Sequence, residues 1–364
     1  MDDPRTDPAA PCAQRDPHDF APAEADASSL PPLSAHDAID GWDRLARQLS
    51  LALRATAQDA AWLDALRQLA EQVRELARRD ADCALYLLVQ AAAGDTDRYA
   101  AQHALLCAVA AELCAATLDW SADERSALVH SALTMNVAMA ELQNALACQL
   151  SPVDAIQRGH IQQHAAQGAD LLAAAGLRDD LWLAVVRHHH DPQAAGDAAA
   201  PARRLAELLH RIDVYTAKLS RRASRDTQSP VVAARDICLP GGDRPDELGA
   251  AMLRALGLYP PGCFVQLANG EIAVVVRRGT LMHAPEVMVV RRADGGLCMP
   301  PQPRSTASRG AAVRQGVTQQ HAKVRLDHWQ TLQRRSRAGA AAHLPAAPAG
   351  SAAVARVAAV QAAQ

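Results

Sequence analysis

Aromatic residues are scarce: Phe, Trp and Tyr make up 3% of the 364 residues, although 49% are hydrophobic. The core must therefore be built from Ala, Leu and Val, and with few β-branched runs before residue 260 this favours packed helices. The eight cysteines form no CxxC pair and show no metal-finger spacing, so they read as buried free thiols in a reducing compartment. A basic-then-apolar leader is missing, which excludes a conventional secretory signal, and no uninterrupted apolar run of about twenty residues can cross a bilayer. These absences predict a cytoplasmic protein without a membrane partner. Net charge is only -3, which argues against a generally nucleic-acid-coated surface.

What is present is unevenly distributed. Residues 1–38 are rich in Pro, Asp and Ala and read as a disordered leader, because they cannot bury enough surface to offset ordering entropy. Ile39, Trp42, Leu45 and Leu49, then Trp62, Leu63, Leu66, Leu69, Val73 and Leu76, recur at helical spacing. They predict a helical hairpin over 39–80 that serves as packing or dimerisation surface. Further helices follow over 81–258. One of them starts at Ala122 behind Ser121, with Glu124 placed for a capping box. After Gly257 the stretch PPGCFVQLANGEIAVVVRRG alternates in period two around Asn269-Gly270, which predicts a hairpin with a two-residue turn, and Val287 to Val290 supply a third strand. The expected architecture is mainly α: a helical bundle with an N-terminal hairpin and a small antiparallel β extension over 259–300. Residues 301–364 read as a disordered Arg- and Ala-rich tail. Its Arg334, Arg335 and Arg337 lack interleaved aromatics, which disfavours nucleic acid as a partner.

Chemistry gathers in LWLAVVRHHHDP, residues 181–192, where an apolar helix ends in His188, His189, His190 and Asp191. Histidines also suit a helix C-terminus for electrostatic reasons alone. Because adjacent helical residues point about 100° apart, at most two of the three can share one site. His160 and His164 form an i,i+4 pair able to chelate zinc, but no Glu completes HExxH, so a metalloprotease is excluded by pattern. Asp213 lies between Ile212 and Val214 in a core-facing helix, which is costly unless the acid is paired or bound to metal.

In order and spacing, His103, His130, His164, His189, His190 and Asp213 resemble the HD-GYP domain, a branch of the HD metal-dependent phosphohydrolases. The resemblance covers roughly 82–258. The segment HRIDVYTAKLSRRASR is similar to the family's ADxYxA...SxRxYR, and YPPGCFVQLANGEIAVVV to its short β extension. It implies an HD-type bundle, those six residues as metal ligands, iron, manganese or zinc as the ion, and cyclic di-GMP or a related nucleotide as the ligand.

The departures are specific. His130-Ser131 stands for the His-Asp doublet, Leu133-Thr134 for Gly-Lys, His164-Ala165 for His-Pro and His189-His190-Asp191 for His-His-Glu. QAAGDAAAP replaces DGxGYP, and Tyr99 takes the place of a Glu four residues before the first histidine. Two dications about 3.5 Å apart repel by roughly 19 kcal/mol at an effective dielectric of about 20, so they need shared anionic ligands. A neutral Ser131 provides none, which leaves room for one ion. The expectation is a degenerate, non-catalytic or weakly catalytic signalling module, with a protein partner or second copy on the N-terminal helices. The alternative is a metal-dependent cyclic di-GMP phosphodiesterase with an altered centre. Arg222 and Arg225 are the candidates for a phosphate contact, since guanidinium grips phosphate oxygens bidentately.

Overall fold

The computed structural model describes residues 33–94, 96, 98–195, 200–239 and 244–342. Most of the expected leader, the centre of the QAAGDAAAP loop and the end of the tail lie outside the described residues. Ser34 starts the first helix by accepting the Asp37 N–H at 3.1 Å, so order begins inside the expected leader. That helix, α1 (Ala35–Leu53), packs on α2 (Ala60–Arg79), and the Trp62 indole N–H donates to Ala52 O at 2.9 Å. Leu45, Leu49, Leu63, Leu66 and Val73 are all buried in the main core, so the apolar faces of the hairpin are consumed by packing within the chain.

Next come α3 (Ala81–Gly94), α4 (Tyr99–Thr117) and α5 (Ala122–Thr134), the last starting in the Ser121–Glu124 capping box. The 3-10 turn Val137–Met139 leads into α6 (Ala140–Cys148), followed by α7 (Ala155–Ala174), which opens with a second capping box from Asp154 and Gln157. Gly176, at φ +103°, allows the turn into α8 (Asp180–His188). Then follow α9 (Ala200–Leu219), α10 (Pro230–Cys238) and α11 (Glu247–Leu256).

Helix α4 is the axis of the bundle. It touches α1, α2, α3, α5, α6, α9 and α11, and its alanines let those neighbours approach on every side. By length and composition α4 is apolar enough to cross a membrane, yet 83% of its apolar window is buried inside the protein.

The β extension is larger than the sequence predicts. Strands β1 (Phe264–Leu267), β2 (Ile272–Arg277), β3 (Glu286–Arg291), β4 (Leu297–Ser305) and β5 (Val313–Val317) form an antiparallel sheet in the order β4-β3-β2-β1-β5. The β1–β2 turn has a three-residue loop, not the expected two. Gly270 N–H donates to Leu267 O at 2.9 Å, Leu267 N–H donates to Glu271 O at 2.8 Å, and Gly270 takes φ +87°. This closes a bulged hairpin, the other solution open to an Asn-Gly pair.

The expected disorder from 301 is corrected over 301–342. The proline-rich start of that segment completes β4, which lies at the sheet edge, where a missing N–H is tolerated. After α12 (Gln319–Ala322), α13 (His328–Ala342) buries Leu332 against the sheet and pairs Arg335 with Asp80 at 2.7 Å. Both partners are distant in sequence, so local composition does not announce them.

Candidate metal centre

Three helices and one helix end converge on a cavity of about 150 Å³ lined by His103, Asn136, Gln143, His164, His190, Asp213 and Arg222, among others. His164 comes from α7, His190 from the end of α8 with His189 packed behind the lining beside it, His103 from α4 and Asp213 from α9.

The first cluster is His164, His189 and His190, whose ligand atoms lie within 4.8 Å of one another. His164 Nδ1–H donates to Ile161 O at 2.6 Å and His189 Nδ1–H donates to Val186 O at 2.7 Å. Each carbonyl fixes a tautomer, so the neutral rings turn two bare Nε2 lone pairs toward each other at 3.3 Å. Two lone pairs at that separation repel unless a cation lies between them. Burial, which lowers the pKa of both rings, resists supplying that cation as a proton. Two nitrogens on one tetrahedral zinc at its usual bond length stand about 3.3 Å apart. The carbonyls of Ile161 and Val186 are also the kind of partner that metal-bound histidines ordinarily have. These residues therefore fit a divalent ion.

The second cluster is His103, Cys107 and Asp213. His103 Nε2–H donates to Asp213 Oδ1 at 2.7 Å, and Cys107 Sγ lies 3.7 Å from the same nitrogen and 3.1 Å from Thr216 Oγ1. Burial opposes a charge on His103, but the neighbouring Cys107 and the hydrogen-bonded Asp213 outweigh it and raise its pKa well above the ordinary value. Burial likewise works against the Asp213 carboxylate, while His103 and the nearby His189 and His190 hold its pKa well below the usual range. Tyr99 stacks on His103 with ring centroids 5.8 Å apart, and Arg222 donates from Nε to the Tyr99 hydroxyl at 3.2 Å.

Several residues singled out in the sequence are not among those lining the cavity. His130 is not among the lining residues: its ring stacks on Trp182 at 4.5 Å and its Nδ1–H donates to Ser126 O at 2.7 Å. Ser131 is fully buried and donates to Trp182 O at 3.4 Å. The turn after α5 instead brings Asn136 to the cavity, so the neutral group facing the cluster is an amide. His160 is exposed while His164 is buried. Arg225 donates to Ala217 O at 2.7 Å, at the end of α9, and only Arg222 reaches the cavity. Of the three consecutive histidines, His189 and His190 share the cluster and His188 does not.

The sequence reading missed Cys107, His210 and Asn136. Cys107 follows His103 by four residues and His210 precedes Asp213 by three, spacings that place each on the same helical face as its neighbour. His210 reaches His190, with ring centroids 5.8 Å apart. Asn136 carries no such signal, because it lies in the turn.

Burial pushes His189 down to about 3 from 6.5, with His190 adding to the effect. In acid the unfolded chain takes up protons that folded His189, His164 and His190 refuse, so stability falls as pH drops below the unfolded value. His103, shifted upward, works oppositely: its contribution is fully present below 6.5 and is lost as pH rises through the folded value. The metal-free protein should therefore lose urea midpoint steadily from about pH 6 to about pH 4, with a shallower slope in His189→Asn. An equal slope in both proteins would mean that His189 is not held neutral.

No family model matches the chain, and no solved structure matches it. A curated relative is the cyclic di-GMP phosphodiesterase PA4108 of Pseudomonas aeruginosa, 28% identical over 150 residues. The match spans 40% of this chain and 36% of that protein, so the chain spans little more than a third of the relative it matches.

Proposed function

We propose that this chain is a degenerate HD-GYP-type domain that holds a divalent ion on His164, His189 and His190 and acts in cyclic di-GMP signalling chiefly by binding the nucleotide. The observation that carries this is the 3.3 Å approach of the buried His164 and His189 Nε2 atoms, whose rings each donate from Nδ1 to a backbone carbonyl. Iron, manganese or zinc suits imidazole ligands, and such an ion, when bound, acts as a Lewis acid that lowers the pKa of water. The chain's own residues do the rest. Arg222, held over the Tyr99 ring at 5.3 Å, presents a cation to a phosphodiester anion. Asp213 is kept ionised by its hydrogen bond from His103. The cavity, at about 150 Å³, admits a phosphodiester group but not the whole dinucleotide.

Weak turnover follows from charge. Asp213 is the one carboxylate among the described lining residues, and Asn136 adds no negative charge. The likeness to a cyclic di-GMP phosphodiesterase supports the choice of nucleotide. A second reading, an active metal-dependent phosphodiesterase, draws on the neutral histidines and the ionised Asp213, which suit ion-activated water.

Calorimetric titration of the ion-loaded protein with cyclic di-GMP, with chromatography of the products, separates the two. Binding that weakens tenfold or more in Arg222→Ala, with little product, is the expected result. Ion-dependent product formation at an enzymatic rate would favour the phosphodiesterase. Neither binding nor turnover would sink both readings.

A further inference from the structure

We propose that Cys107 is a metal ligand: with His103 and Asp213 it forms a second, sulfur-containing ion position beside the three-histidine one. This deepens the reading above and rests on it, since Asp213 lies between the two positions.

Geometry is the first support. His103 and Cys107, four residues apart on α4, face the same side, and Asp213 meets them from α9. Their ligand atoms fall within 4.8 Å of one another. The Cys107 Sγ to His103 Nε2 separation is 3.7 Å, against about 3.6 Å for a sulfur and a nitrogen on one tetrahedral zinc. The 2.7 Å hydrogen bond between His103 and Asp213 is shorter than two ligands keep, so it opens when the ion enters. The Nε2 proton of His103 and the thiol proton of Cys107 leave to solvent, and the freed nitrogen and sulfur lone pairs bind the ion. His103 Nδ1, buried without a hydrogen-bond partner among the described residues, shows that the ring is not yet tied into a complete polar network.

Charge is the second support. Two neighbouring dications need anionic ligands, and Tyr99 and Asn136 are neutral where carboxylates would serve. A Cys107 thiolate adds one negative charge beside Asp213, the one carboxylate among the described lining residues. The Thr216 hydroxyl, 3.1 Å from the sulfur, now donates to Ile212 O and can turn to donate to the thiolate.

Sulfur also sets the preference. Thiolate favours zinc, ferrous iron and cobalt over manganese and magnesium. The full chain should therefore take up about two cobalt or zinc ions but about one manganese.

The test is cobalt substitution read by absorption. The expected spectrum has a near-ultraviolet sulfur-to-cobalt charge-transfer band in addition to the visible bands of the histidine position. Cys107→Ser should lose the sulfur band and one ion while keeping the other, and the retained ion reports intact folding. Should that variant not fold, His103→Asn should also lose the sulfur band. One cobalt per chain with no sulfur band overturns this inference and leaves the three-histidine site standing. A sulfur band that survives both substitutions overturns it as well. No bound cobalt at all overturns both.

Discussion

Loaded with manganese, which a sulfur-containing position disfavours, the His189→Ala protein should emerge from gel filtration with almost none of the ion carried by the unaltered chain, a loss in affinity of more than about a hundredfold. Removing even a residue that merely supports a metal ligand costs about 10–100-fold, and His189 sits at the centre of the cluster. Its Nε2 faces that of His164 at 3.3 Å, its ring centroid is 4.1 Å from that of His190, and it is completely buried. Elemental analysis of the purified proteins reads the result directly. The informative companion is His130→Ala. The order of histidines along the chain puts His130 in the same ligand set, whereas the fold turns it against Trp182. That variant should keep its ion. Equal loss in both would mean that His130 reaches the ion and that the separation described above is wrong.

Glu112→Gln should lower the stability of the protein by about 3–5 kcal/mol, read as a drop in the urea midpoint. Glu112, 2% exposed on α4, accepts from Arg74 Nε on α2 at 3.2 Å and from Arg125 on α5. Neutralising it leaves two partly buried guanidinium groups short of a countercharge. Among the described residues Arg74 then keeps one carboxylate partner, Glu71, at 3.1 Å and largely exposed. An exposed ion pair contributes at most about 1 kcal/mol, so a loss below that value would show that this triad behaves as a surface feature. The same variant loosens the helix that carries His103 and Cys107, and its ion content should fall less than its stability.

Much of the helical framework was legible in the sequence because its signals are local. The recurring apolar positions of α1 and α2 and the Ser121–Glu124 capping box each depend on residues within a few positions of one another. The segment after residue 301 was misread for the opposite reason. Its prolines are acceptable only because β4 is an edge strand, and Arg335 is acceptable in a buried position only because Asp80 waits there from the other end of the chain.

The sequence by itself marked most of the residues that could bind metal, since His164, His189, His190 and Asp213 stand out chemically wherever they fall. It also determined that the centre is short of negative charge. The tertiary structure decided which of these residues meet. Successive side chains on a helix point about 100° apart, and Asn136, six residues after His130 and beyond the end of α5, lines the cavity while His130 stacks on Trp182. Sequence order constrains that rotation only loosely. Packing of α5 against α4 and α8 fixes it, and with it the exchange of His130 for Asn136.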